Sequence, residues 1–206
     1  KNTFARDGYE LSYYSSGGGS PLVFIHGFPL DHHMWSAQIS ALSASHRVIA
    51  PDLRGFGGST LAASDVETGL EMADYASDVI ATLDEANVSE PATFCGFSMG
   101  GYVLLSLARL YPERIRALVL CDTKASADAA EAAAKRVEMA EGVAEAGAGA
   151  VAEAMLPKLL AKETLSDRPE VVAEVDQMIR RSNPGALAAA QRGMALRPDM
   201  REQLPS

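Results

Sequence analysis

Apolar residues fall along this chain in two rhythms. From residue 20 to 122, short unbroken apolar runs alternate with stretches in which apolar positions recur every three or four residues. The runs are "PLVFI" (21–25), "RVIAPD" (47–52), "ATFC" (92–95) and "ALVLCD" (117–122). A continuous apolar run of strand length suits a strand buried on both faces, as in a parallel sheet. Between the runs, Trp35, Ile39 and Leu42 share one helical face. So do Met72, Tyr75, Val79 and Leu83 within 71–87, and Val103, Leu107 and Leu110 within 99–111, where Pro112 closes the helix. These spacings predict amphipathic helices. The alternation of strand and helix predicts an α/β fold, a mainly parallel sheet with helices on both faces. Ahead of it, "NTFARDGYELSYYSSGGGS" reads as a β-hairpin turning at Asp7-Gly8, followed by a loop at Gly17 to Gly19. Pro51 has no N–H to give a ladder, and the second run is expected to stop there. "LRGFGGS" (53–59) reads as a glycine-rich loop.

The rhythm changes after residue 123. Residues 124–205 are rich in Ala, Glu and Met and hold no strand-like run. They predict three to five short helices, broken around Gly147-Ala148-Gly149 and at Pro157, with further boundaries at Arg168-Pro169 and Asn183-Pro184-Gly185. The expected division is a core over 1–123 and a helical cap or lid over 124–206. For 124–150, where Ala and Gly dominate, low-complexity disorder is the competing expectation.

Composition narrows the function. A chain of 206 residues is long enough for one domain with a sizeable core. A formal net charge of −9 excludes a phosphate-rich nucleic-acid partner on electrostatic grounds. No basic run suits an anionic membrane, and no apolar run is long enough to span one. Cys95 and Cys121 each lie within an apolar run and read as free thiols packed as small hydrophobes, in keeping with a cytoplasmic location. No Cys/His cluster has metal-ligand spacing, so a structural zinc is not expected, and the serine chemistry read below requires no metal or organic cofactor.

One motif carries chemistry. Gly96-Phe97-Ser98-Met99-Gly100 fits G-x-S-x-G, with an apolar strand before it and an apolar-faced helix after it. The small flanking residues allow strand and helix backbones to meet closely around a serine on a sharp turn. The N–H after the serine, that of Met99, then points where an oxyanion would form, at the positive end of a helix. A second donor is needed from the loop after "PLVFI", where His26-Gly27-Phe28-Pro29 follows; Phe28 N–H is the candidate. His26 reads as the anchor of that loop, with Gly27 shaping it, and direct proton transfer by His26 is the lesser reading.

Taken together, "PLVFIHGFPLDHHMW", "RVIAPDLRGFGGS" and "FCGFSMGGYVLLSLARLYPERIRALVLCD" resemble the α/β-hydrolase superfamily, most of all its small lidded carboxylesterase-like members. Those include enol-lactonases, cofactor-free perhydrolases and proline iminopeptidases. The resemblance implies hydrolysis of small esters or lactones, with Ser98 as nucleophile and Phe28 and Met99 as oxyanion-hole donors. It gives Asp52, Arg54 and Gly55 a loop-shaping role. Serine at position 98 argues against dehalogenase or epoxide hydrolase chemistry, which uses Asp there. Perhydrolase or prolyl aminopeptidase chemistry on the same serine is the rival among enzymes.

A serine needs a base. The four histidines, His26, His32, His33 and His46, all precede Ser98. The family order is Ser, then acid, then His. The resemblance therefore implies that the base and acid follow the cap, on two strands and two helices, roughly 60 residues absent from this chain. His32 or His33, at the start of a helix near the site, is the alternative base. Asp122, at the carboxyl edge of the sheet, is the candidate acid, and a helix cap is its alternative role. Without the last two strands "ALVLCD" would be a bare apolar edge, prone to association. The expected partner is the C-terminal fragment of the same protein or a swapped copy. The reading outside enzymes is a hydrolase-like binding protein, or an inactive fragment, lacking the base.

Overall fold

The computed structural model describes residues 1–204. Six strands form one sheet in the order β1-β2-β4-β3-β5-β6. They are β1 (Asn2–Arg6), β2 (Tyr9–Ser16), β3 (Pro21–Ile25), β4 (Arg47–Asp52), β5 (Ala92–Phe97) and β6 (Ile115–Cys121). β1, β2 and β4 pair antiparallel, and β4, β3, β5 and β6 run parallel. The hairpin turns at Asp7 (φ 46°) and Gly8 (φ 89°), both left-handed, which matches the twist of the flanking strands.

The unbroken apolar runs are explained by burial on two sides. Val23, Ile25, Ile49 and Phe94 join one cluster, and Leu22, Phe24, Val48, Ala50 and Cys95 join another. These are alternate residues of the same strands, facing opposite sides of the sheet. The smaller cluster packs on Trp35, in a 3₁₀ turn over His32–Trp35, and on Ile39 of α1 (Ser36–Leu42). The larger one packs on α3 (Met72–Glu85) and α4 (Met99–Leu110). Met72, Tyr75, Val79 and Leu83 are all buried, as their spacing predicts.

Two expectations need correction. β4 continues through Pro51, which pairs with Tyr13. Pairing with β3 ends at Ile49, so at Pro51 the strand has one hydrogen-bonded neighbour and tolerates a missing donor. The last run extends over 115–121, and it is not a buried strand: Val119 is 48% exposed and Leu120 39%. A short helix, α2 (Ala63–Thr68), lies in a stretch to which the sequence pattern assigned no element.

The later residues form α5 (Ala130–Leu159), α6 (Lys162–Asp167), α7 (Pro169–Arg180) and α8 (Pro184–Ala195). Residues 130–150 are helical, so disorder is not what this stretch adopts. The α5 path breaks at Gly147 (φ 74°, ψ 177°), a conformation that favours glycine. The expected break at Pro157 is not seen, and the helix continues through it to Leu159. The alanines of α8, Ala186 and Ala188 to Ala190, are buried, and small side chains let α8 approach its neighbours closely. Val143, Val151, Met178, Leu187 and Met194 belong to the same apolar cluster as β3 and β5. Asp128 ties this layer down: it accepts from Arg136 at 2.6 Å and Arg197 at 2.7 Å, and the Arg197 guanidinium lies 4.1 Å from the Tyr102 ring centre. The Arg197 hydrogen bond, working against burial, holds the Asp128 carboxyl well below the usual carboxylate range. Among the described residues no helix is long and apolar enough to cross a membrane.

Candidate active site

Ser98 stands between β5 and α4 with φ 50° and ψ −108°. A non-glycine residue in that region is strained and persists only when its surroundings over-determine it. They do so here. Ser98 N–H donates to the Cys121 carbonyl at 2.9 Å. Its own carbonyl accepts from the Thr123 hydroxyl at 2.8 Å and from Gly101 N–H at 3.0 Å. The glycines of the motif have a steric reason. A Cβ on Gly100 would lie 2.4 Å from the Ile25 carbonyl oxygen, and one on Gly96 would lie 2.7 Å from the Gly100 backbone. The end of β3, the end of β5 and the start of α4 thus converge on the serine. Thr123 was not singled out by the sequence reading. Its signal is faint, a polar residue two past the end of an apolar run.

Met99 opens α4, so its N–H lies outside the helix's own ladder. Phe28 follows Gly27, whose backbone lies against Phe97: a Cβ there would come within 2.6 Å of that ring. Among the described residues no hydrogen bond is made by Phe28 N–H. Leu30 N–H donates to the Gly27 carbonyl at 2.9 Å and tightens the loop.

His26 is fully buried. Its Nε2 accepts from Leu53 N–H at 2.9 Å, so the proton is on Nδ1, which donates to the Gly27 carbonyl at 3.1 Å. Burial pushes its pKa down and keeps it neutral. Both nitrogens are engaged in joining the β3 loop to the β4 loop, which leaves none for proton transfer. Asp52 organises the same corner. It accepts from His32 N–H (3.0 Å), His32 Nδ1 (2.6 Å) and Gly58 N–H (2.9 Å). Burial alone would raise its carboxyl, but the His32 bonds outweigh burial and bring it to about 2. Arg54 turns away, donating to Asp78 at 2.7 and 2.8 Å, and Gly55 packs against Ala186 of α8.

The histidines and acid fall elsewhere. His32 is bound to Asp52, His33 Nδ1 lies 2.8 Å from Asp31, and His46 lies 2.9 Å from the Ser45 hydroxyl. Among the described residues none is bonded to Ser98. Asp122 follows β6 with φ 43°, exposed, eight residues before α5 begins, so it caps no helix. Cys95 and Cys121 are free thiols 3.7 Å apart on neighbouring strands beneath the serine turn. Burial and the Cys121 contact push the Cys95 thiol up to about 12.

The chain is similar to proteins of known identity. Over 207 residues the chain is 29% identical to 3-oxoadipate enol-lactonase 2 of Acinetobacter baylyi, covering 99% of the chain and 74% of that protein. It is 34% identical over 119 residues to bifunctional epoxide hydrolase 2 of Sus scrofa, spanning 57% of the chain but only 21% of the length of that relative. The structure superposes on a thermophilic esterase from Thermogutta terrifontis with a TM-score of 0.91 at 41% identity, covering 98% of the chain and 74% of the esterase. A family profile described as the alpha/beta hydrolase fold matches residues 20–197, every strand and helix from β3 through α8, and the chain belongs to that family.

Proposed function

We propose that this chain carries the nucleophile of a serine hydrolase acting on small carboxylic esters or lactones. Ser98 Oγ attacks the substrate carbonyl, and the N–H groups of Phe28 and Met99 stabilise the tetrahedral oxyanion. The acyl-enzyme at Ser98 is then released by water. The observation that carries this reading is the backbone of Ser98, held at φ 50° by bonds from two sides on a strand-to-helix turn. The esterase and the enol-lactonase among its relatives favour ester or lactone over amide substrates. In this reading residues 1–123 are the core, 124–206 are the cap over the site, and the enzyme works in the cytoplasm on the strength of its unpaired thiols.

The base is assigned to polypeptide outside residues 1–204, a C-terminal fragment of the same protein, with Asp122 or a second carboxylate as its acid. Two observations support this. No histidine among the described residues is bonded to Ser98, and the edge of β6 is open to accept further strands. The first of these also supports a second reading, a binding protein that retains the pocket without the base. Treatment with a fluorophosphonate decides between them. Stoichiometric labelling at Ser98, abolished by Ser98→Ala, supports the hydrolase. Absence of labelling in material whose intact mass includes a histidine-bearing second peptide would sink it.

A further inference from the structure

Two histidines that the proposed reaction leaves unused stand side by side at the start of the 3₁₀ turn. His32 Nδ1 lies 2.6 Å from Asp52 Oδ1, and His33 Nδ1 lies 2.8 Å from Asp31 Oδ1. The His32 ring stacks on Tyr14, with centres 6.2 Å apart and planes 13° apart, and faces the His33 ring at 4.0 Å. Each imidazole therefore has one nitrogen engaged by a carboxylate. The other, Nε2, has no partner among the described residues. A histidine that binds a metal nearly always gives its other ring N–H to a carboxylate or carbonyl, which fixes the ring and raises its basicity. Here that pattern occurs twice in succession. Both rings line a 380 Å³ cavity that they share with Tyr14 and Ser36. One ligand atom from each of Asp31, His32 and His33 lies within 4.8 Å of the other two.

We propose that His32 and His33 bind a divalent transition metal ion, zinc, nickel or copper, through their Nε2 atoms in this cavity. Imidazole nitrogens suit these borderline ions, whereas calcium and magnesium take oxygen ligands. Asp31 orients rather than ligates. Its Oδ1 accepts from the His33 N–H at 2.9 Å and from the His33 ring, and its Oδ2 accepts from Arg181 at 2.8 Å. Water completes the coordination from the cavity side. Arg181 also lies 3.3 Å from His33 Nδ1, and its positive charge opposes the bound cation. The site is distinct from Ser98 and does not depend on the hydrolase reading.

The test uses the full chain with metal ions alone. Zinc titration by calorimetry is expected to show one site per chain. Copper(II) bound there is expected to show hyperfine coupling to two imidazole nitrogens in its electron paramagnetic resonance spectrum. His33→Ala alters a side chain 45% exposed and leaves the core intact. It should reduce the coupling to one nitrogen and weaken zinc by about 10-fold or more. Arg181→Met should tighten zinc, an effect that loss of structure would not produce. His46→Ala should change nothing. The proposal is overturned if wild-type protein binds no zinc, if His33→Ala binds as the wild type does, or if binding disappears with His46→Ala.

Discussion

β5 and β6 lie side by side, run parallel and read much alike, "ATFCGF" beside "IRALVLC". In β5, Phe94 is fully buried and Cys95 nearly so. In β6, Val119 and Leu120 remain 48% and 39% exposed. β5 has a strand on each side and α4 leaving its end, whereas β6 has a strand on one side only. An apolar run therefore states that a strand is suited to burial, and its neighbours decide whether it is buried. The two strands nonetheless act together at the site. β5 delivers Ser98, and the Cys121 carbonyl and the Thr123 hydroxyl at the end of β6 hold its backbone. The exposed strand supports the strained residue that the buried strand presents.

The largest effect expected from this pair is chemical. If the proposed mechanism holds, Ser98→Ala should lower ester turnover by about 10⁴-fold or more with folding unchanged, because that mechanism has no other nucleophile. Turnover within tenfold of wild type would remove Ser98 from the nucleophile role. The next largest effect is on stability. Phe94→Ala in β5 should cost about 3–5 kcal/mol in a urea titration, since it empties a fully buried site. Val119→Ala in β6 should stay within about 0.5 kcal/mol. If the two costs are equal, β6 is covered in the working protein and the contrast fails.

Acid should loosen the loop corner that joins the ends of β3 and β4. The His26 pKa is lowered by burial from 6.5, so the unfolded chain binds a proton that the folded one refuses. Its contribution is therefore complete above pH 6.5 and is lost as pH falls towards the lowered value. Asp52, lowered from 3.8 to about 2, contributes above pH 3.8 and loses that contribution as pH falls through 2. The Asp52 share is about 2 kcal/mol. Urea midpoints should thus decline from pH 6.5 downward, and a flat profile between pH 6.5 and 4 would contradict a buried neutral His26. The smallest effect separates support from chemistry. Thr123→Val removes one hydrogen bond to the Ser98 carbonyl and should cost about 1 kcal/mol, while slowing phosphonate labelling of Ser98. Unchanged labelling would mean that the Thr123 bond does not position the nucleophile.

Much of the fold was legible because its signals are local. The Asp7-Gly8 turn, the two-sided apolar runs and the faces of α3 and α4 each follow from a few consecutive residues. The G-x-S-x-G stretch was legible for the same reason, as were His26 and Gly27 as a loop anchor. Pro51 misled because its effect depends on whether a second strand still pairs at that position. Thr123 was missed because its partner, the Ser98 carbonyl, lies 25 residues away. The Asp31-His32-His33 group was missed for a different reason. Consecutive side chains diverge in a regular helix or strand, so a search for metal ligands at separated positions passes over them. Here a 3₁₀ turn and two carboxylates, one of them on β4, bring the rings together.

The sequence by itself determined the order of the strands and the main helices between them, the position of the strand-to-helix turn at Ser98 and the need for glycine on either side of it. Each of these follows from periodicity and steric limits over a handful of residues. Only the tertiary structure decided which apolar strand is core and which is edge, that His26 spends both nitrogens on the loop, and that His32 is turned to Asp52. Those outcomes depend on contacts between residues tens of positions apart, and burial, hydrogen bonding and charge act through space rather than along the chain.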